Sequence, residues 1–217
     1  MQWRKVGSLP AKADCDEQQA FVDRKLAPKL REAVRGQRTV LFLDASHFVY
    51  GAYLGYLWCV VRLFVPTGNG RQRYSVLGAI NAVTHRIHAI TTWGMVDSEF
   101  VCQLLREIRS SYAGKITIVL DNASYQKSAQ VIALARKLRI HLLYLPPYSP
   151  NLNLIERLWK FLKGKCLNSR YHADAKAMQS HIDDCLCDIQ AERYSEELQT
   201  LMTHNFQSFA KVPTVAA

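Results

Sequence analysis

The chain has six cysteines but no C-x-x-C pair among them. Cys15, Cys59, Cys102, Cys166, Cys185 and Cys187 lack the paired spacing of a structural zinc site. Nothing in them suggests a disulfide framework either, which fits a reducing, intracellular setting. Several lie in apolar segments, where a thiol packs as a small hydrophobe. No apolar run reaches the roughly 18 uninterrupted residues of a membrane span. The opening Met1-Gln2-Trp3-Arg4-Lys5 leads into no apolar stretch of the kind that follows in a secretory leader. There is no internal repeat and no low-complexity segment. Acidic residues are few: 18 against 28 Lys and Arg, a net charge of +10 over 217 residues. A polyanionic partner and a merely soluble basic surface explain that excess about equally well.

What is present reads as one core with helical additions. Residues 16 to about 35 carry Phe21, Leu26, Leu30 and Val34 near helical spacing, and Gly36 is placed to end the helix. Thr39 to Leu43 is a continuous apolar run that stops at Asp44, the pattern of a strand buried on both faces. Gly51 to Val65 has a strand composition, Thr67-Gly68-Asn69-Gly70 a turn signal, and Arg73–Ala82 and Arg86–Thr92 resume strand character. Together they predict an antiparallel meander of three or four strands. A helix capped at Asp97 or Ser98 runs to about Tyr112. A second buried run, Ile116–Leu120, then stops at Asp121. A helix over Tyr125–Leu138 and a third run, Ile140–Leu145, make a strand–helix–strand unit with a parallel pair. After Pro146-Pro147-Tyr148-Ser149-Pro150, Asn151 or Asn153 can cap a helix to about Leu167, and two more helices fit 173–191 and 194–209. The expected fold class is α/β: a mixed sheet, meander plus parallel strands, with helices on its faces. Trp58 and Trp159 are expected in the core.

Three acids stand where chemistry could occur. Asp44 and Asp121 each end a buried run, and sites in α/β sheets lie beyond the carboxyl ends of strands. Glu156 sits in the first turn of the helix after the proline loop. If the two strands are parallel neighbours, all three carboxylates converge. Their repulsion invites a divalent cation, and two ions can activate a hydroxyl and stabilise a leaving oxygen. Singly, each acid has an ordinary role: Asp44 and Asp121 as turn formers, Glu156 as a capping-box partner of Asn153. As a set, with the proline loop, they favour a site. Glu156, Lys160 and Lys163 share one stripe of their helix, which suits either phosphate contact or a plain Glu–Lys pair.

The stretches VLFLDASHF, GYLW, ITIVLDNASYQKS and above all LLYLPPYSPNLNLIERLWKFLK resemble bacterial insertion-sequence transposases of the mariner superfamily, insertion-sequence 630 type, over about residues 38 to 170. The 34 residues between Asp121 and Glu156 match the spacing of that family's second and third acids. The resemblance implies an RNase H-like Asp-Asp-Glu domain in which Asp44, Asp121 and Glu156 are catalytic and bind two Mg²⁺ or Mn²⁺ ions. It implies cleavage at transposon ends and strand transfer into target double-stranded DNA, often at a TA dinucleotide, by a homodimer in the bacterial cytoplasm, associated with the nucleoid. Many members have an acid after the first Asp, where this chain has Ala45.

The expected organisation is a leader and linker helix over 1–37, the catalytic domain over 38–170, and C-terminal helices over 171–217 packed on it. Residues 1–37 are too short for the helix-turn-helix region that precedes the domain in full-length members, so an upstream helix-turn-helix polypeptide is an expected partner. The alternatives are a truncated or split-frame product that binds DNA without cutting it, and another RNase H-like nuclease or integrase. Asn122 is expected to orient water or the Asp121 carboxylate, and His47 either to approach the site or to pack as a structural histidine. Tyr148, Asn151, Lys160, Lys163 and Arg136 are candidate DNA contacts.

Overall fold

The protein is described here by a computed structural model covering residues 12–54, 58–66 and 70–206. Its first helix starts where Asp14 Oδ1 accepts from the backbone N–H groups of Asp16 and Glu17 at 3.0 and 2.9 Å, an N-cap. Phe21 and Leu26 are both buried yet five residues apart. A 3.6-residue turn cannot put positions i and i+5 on one stripe. The chain resolves the conflict with a π turn, Val22–Leu26, between α1 (Cys15–Phe21) and α2 (Ala27–Val34). The buried stripe then continues through Leu30 and Ala33. Val34, expected on it, is 64% exposed, because eight residues past Leu26 it has drifted about 80° round the helix, while Ala33 takes the buried position. Gly36, at φ +72°, closes the helix with its N–H on the carbonyl of Ala33. Arg38 then ties α2 to the sheet, pairing with Glu32 at 2.7 Å and donating to Thr117 Oγ1 at 2.8 Å.

The sheet has five strands in the order β3-β2-β1-β4-β5: β1 Thr39–Val49, β2 Arg73–Asn81, β3 Ile87–Thr92, β4 Ile116–Leu120 and β5 Ile140–Tyr144. β1–β2–β3 form the antiparallel meander, with three strands, and β1, β4 and β5 run parallel. Contrary to the sequence expectation, β1 does not end at Asp44. Its parallel ladder with β4 stops at Leu43↔Leu120, but its antiparallel ladder with β2 continues to Val49↔Arg73. The strand persists because one neighbour outlasts the other.

Alternation along β1 sorts the core into two layers. Val40, Phe42 and Phe48 pack with α5 (Ile155–Cys166), α6 (Ala175–Gln190), α7 (Ser195–Leu201) and the α1–α2 stripe. Leu41 and Leu43 pack with α3 (Ser98–Ser111) and α4 (Ala129–Lys137). Each fully buried aliphatic side chain contributes roughly 1.5–3 kcal/mol, so both layers hold the sheet flat against helices. Among the described residues no helix is long and apolar enough to cross a membrane.

Other departures have local causes. The described parts of the segment expected as a strand over Gly51–Val65 contain no strand, and Trp58, Val60 and Phe64 are 105%, 103% and 80% exposed. The described residues of this connection join no strand of the sheet, and Trp58 is not in the core. The Thr67-Gly68-Asn69 part of the turn signal lies outside the described residues. The helix expected over Tyr125–Leu138 splits at Ser128, whose Oγ accepts from Val131 N at 3.3 Å and caps α4; a 3-10 turn, Ser124–Lys127, precedes it. The last expected helix ends at Leu201, and 207–209 lie outside the described residues.

Deleting Asp23 converts the π turn to an α turn and leaves Phe21 and Leu26 four residues apart. The variant is expected to melt within about 3 °C of the parent; a loss above about 10 °C in a thermal scan would show that the π turn does more than absorb one residue.

Candidate active site

Asp44 and Asp121 follow directly on the last parallel pair, Leu43↔Leu120. Strands in parallel register share face parity, so both aspartates fall on the α5 side of the sheet. β4 stops there while β1 runs on, which opens the sheet beside the two carboxylates. Glu156 enters from the first turn of α5. All three line one cavity of about 390 Å³, together with Asn122, Tyr148 and Asn153.

The proline loop shapes the far wall. Leu145 N–H donates to the Leu120 carbonyl at 2.9 Å, which keeps the chain beside β4 past the end of β5. Tyr148 then adopts φ 55°, left-handed and costly for a bulky residue. Gln18, 1% exposed on α1, secures the turn from behind: its Nε2 donates to the Tyr148 carbonyl at 3.5 Å and its Oε1 accepts from Asn151 Nδ2 at 2.9 Å. Asn122 Nδ2 donates to the Leu145 carbonyl at 2.7 Å, and Asp121 Oδ1 accepts from Ala123 N–H at 3.0 Å.

Electrostatics set this group apart from surface acids. Burial, then the charge of Glu156 and the smaller influence of Asp121, push Asp44 up to about 7, against hydrogen bonds from Ala45 N–H and Trp159. Burial also raises Glu156; Lys163 opposes the shift and Asp121 adds to it. Tyr125 is pushed up to about 12 by burial and by the charges of Asp44 and Asp121. Such clustering of shifted acids in a cleft is characteristic of functional sites. The carboxylates share the cavity but stand apart: among the described residues no three His, Cys, Asp or Glu side chains close tightly enough to hold an ion. The donor set is nonetheless oxygen only and anionic, which is the chemistry that Mg²⁺ and Mn²⁺ prefer.

Two residues at the site were expected only as structure. Trp159 was assigned to the core, and it is buried, but its Nε1–H donates to Asp44 Oδ2 at 3.2 Å. Gly78 faces Asp44 across the β1–β2 ladder, where a Cβ would come within 2.7 Å of Trp159 Cη2. The glycine therefore admits the indole that holds the aspartate. The only sequence signal was the position of Trp159 three residues after Glu156 on the buried stripe. Asn153 was expected as a helix cap. Instead Leu154 occupies the N-cap with no side-chain bond, and Asn153 turns its amide to the strand, Nδ2 to the Leu43 carbonyl at 3.4 Å.

The remaining candidates divide. Lys163 stands beside Glu156 and 5.6 Å from the Phe48 ring centroid. Tyr148 is at the cavity, 54% exposed. Lys160 is exposed on α5. Asn151 is engaged with Gln18 behind the loop. His47 has the opposite parity to Asp44 along β1, and its Nδ1 is 2.9 Å from Ser75 Oγ; it does not line the cavity. Arg136 is exposed on α4, in the other helix layer.

The family model for the DDE superfamily endonuclease matches residues 39–179. An uncharacterized 39 kDa protein of insertion element IS630 from Shigella sonnei is 29% identical over 101 residues, which are 45% of this chain and 29% of that protein. The strand transfer complex of Mos1 aligns with TM-score 0.62 and 14% identity over 93% of this chain and 63% of the other. The catalytic domain of Mos1 mariner transposase aligns with TM-score 0.58 and 12% identity over 91% and 94%. The fold is thus RNase H-like, and the chain spans 29% of the insertion-element protein and 63% of the Mos1 chain in the strand transfer complex.

Asp44 has its folded pKa raised, so its contribution to stability is intact below about pH 4 and is lost as pH rises through about 7. Asp44→Asn is therefore expected to melt above the parent at pH 8, in chelator, by about 1–3 kcal/mol or about 3–10 °C, the difference fading by pH 4. A variant less stable than the parent at pH 8 would contradict the repulsion. Gly78→Ala should cost about 1–3 kcal/mol by overpacking. Trp159→Phe lacks the clashing ring edge and should relieve most of that cost in the double variant; additive losses in a double-mutant cycle would place the clash elsewhere.

Proposed function

We propose that this chain, which belongs to the DDE superfamily endonucleases, is the catalytic part of a transposase that cuts DNA at the ends of a mobile element and joins them to target DNA. One observation carries the reading: Asp44, Asp121 and Glu156 line a single cavity at the point where the parallel ladder ends. The 34-residue interval between the second and third acids supports it.

In the proposed site Asp44, Asp121 and Glu156 would be the residues to hold two Mg²⁺ or Mn²⁺ ions, drawn closer together than they stand without them. Divalent cations bound there would supply charge neutralisation and Lewis acidity at the scissile phosphate. The protein's own groups do the positioning. Trp159 fixes one oxygen of Asp44, the Ala123 N–H fixes one of Asp121, and Lys163 offsets the charge of Glu156. In cleavage, a water oxygen bonds to phosphorus as the P–O3′ ester bond breaks, leaving a 3′-hydroxyl and a 5′-phosphate. In joining, that 3′-hydroxyl attacks a target phosphodiester in the same way. Lys160, Lys163 and Tyr148 are proposed phosphate contacts beside the cavity; Arg136 and His47 are left out because they face other surfaces.

The proposed working form pairs two copies, one per element end, and acts in the cytoplasm. An upstream helix-turn-helix segment would read the end sequence. Residues 38–170 would be the catalytic unit, with 1–37 linking and 171–217 supporting it.

The test is a plasmid-nicking and strand-transfer assay. Mg²⁺- or Mn²⁺-dependent products are expected from the parent, and at least about 10³-fold less from Asp121→Asn, which should keep its fold and its salt-sensitive DNA binding. Equal activity in Asp121→Asn, or activity indifferent to chelator, would sink the assignment.

A further inference from the structure

Asn153 is 4% exposed and stands three residues before Glu156, in the wall of the cavity it shares with Asp44. Its Nδ2 donates to the carbonyl of Leu43, the residue before Asp44. Only the nitrogen end of an amide can donate to a carbonyl, so the orientation of the group is settled by chemistry. That leaves Oδ1 buried and with no hydrogen-bond partner. A buried acceptor is normally satisfied, and an exception calls for a reason. Helix capping does not supply one. The backbone carbonyl of Asn153, not its side chain, accepts from Glu156 N–H at 3.2 Å. The neighbouring carboxylates are acceptors themselves when ionised. An amide oxygen so placed can be satisfied by a group that arrives carrying a proton, a hydroxyl above all.

We propose that Asn153 is a substrate-contacting residue whose Oδ1 accepts a hydrogen bond from the attacking hydroxyl, a water in cleavage and a 3′-hydroxyl in joining. This rests on the transposase reading above. Accepting that bond aims an oxygen lone pair at phosphorus. The P–O bond forms as the P–O3′ bond breaks, and its electron pair leaves on the 3′ oxygen. The proton of the attacking hydroxyl passes to solvent, since an amide oxygen is too weak a base to keep it, and a solvent proton ends on the departing oxygen. The other end of the amide, held on Leu43, keeps the acceptor in register with Asp44.

The test compares Asn153→Ala and Asn153→Asp, the latter retaining a side-chain oxygen of the same reach. Mn²⁺ affinity, plasmid DNA affinity and single-turnover nicking at saturating DNA are measured on each. Asn153→Ala should nick about 10- to 100-fold more slowly, with Mn²⁺ and DNA affinities within about twofold of the parent, and Asn153→Asp should recover at least about half of the loss on a logarithmic scale. Unchanged nicking by Asn153→Ala, a loss matched by weaker Mn²⁺ or DNA binding, or no recovery in Asn153→Asp would each overturn the role. If Asn153→Ala does not fold, the Asn153→Asp rate decides alone: within about tenfold of the parent it upholds the role, and a larger loss defeats it. A parent without metal-dependent nicking defeats the transposase reading itself, whereas a parent that nicks beside an unaffected variant defeats only Asn153.

Discussion

Two strands that run side by side for five residues and then part company determine where everything else can be. β1 and β4 pair from Thr39↔Ile116 to Leu43↔Leu120. Beyond that point β1 is held only by β2. The unpaired edge is where a carboxylate from each strand emerges, and a cavity there cannot be filled by a further strand. The proline loop and the start of α5 close over it because Leu145 stays bonded to β4.

Gathering acids in a half-buried place is unfavourable by itself, and the surrounding structure is arranged to bear it. Trp159 reaches Asp44 only because Gly78 has no side chain, so a residue in one strand is determined by a hydrogen bond made to its neighbour. Lys163 sets an opposing charge against Glu156 while its ammonium lies over the Phe48 ring. The cluster thus stores electrostatic free energy that ligands of opposite charge can release.

Most of the sheet was legible in the sequence because buried parallel strands are short, continuous apolar runs, and Thr39–Leu43, Ile116–Leu120 and Ile140–Leu145 all have that form. The three acids were legible for the same reason: each follows a change in pattern. The extension of β1 past Asp44 was not, since it depends on the length of β2 rather than on anything local. The apolar segment from Gly51 misled because composition measures willingness to pair, not the presence of a partner. The π turn was hidden in a five-residue interval that looks like imprecise helical spacing. His47 lay close in sequence to Asp44, but strand alternation sends odd and even positions to opposite faces. The bonds of Trp159 and Asn153 to β1 could not be read at all, because both use partners more than 70 residues away.

The pair of bonds from Gln18 bears on placement as well as on shape. One side chain of α1 bonds both the carbonyl of Tyr148 and the amide of Asn151 in the proline loop. The loop carries positive-φ strain at Tyr148 and leads within a few residues to Glu156. Gln18 thus links the leading helix directly to the wall of the cavity, so the placement of that helix and the shape of the cavity are tied through one buried amide.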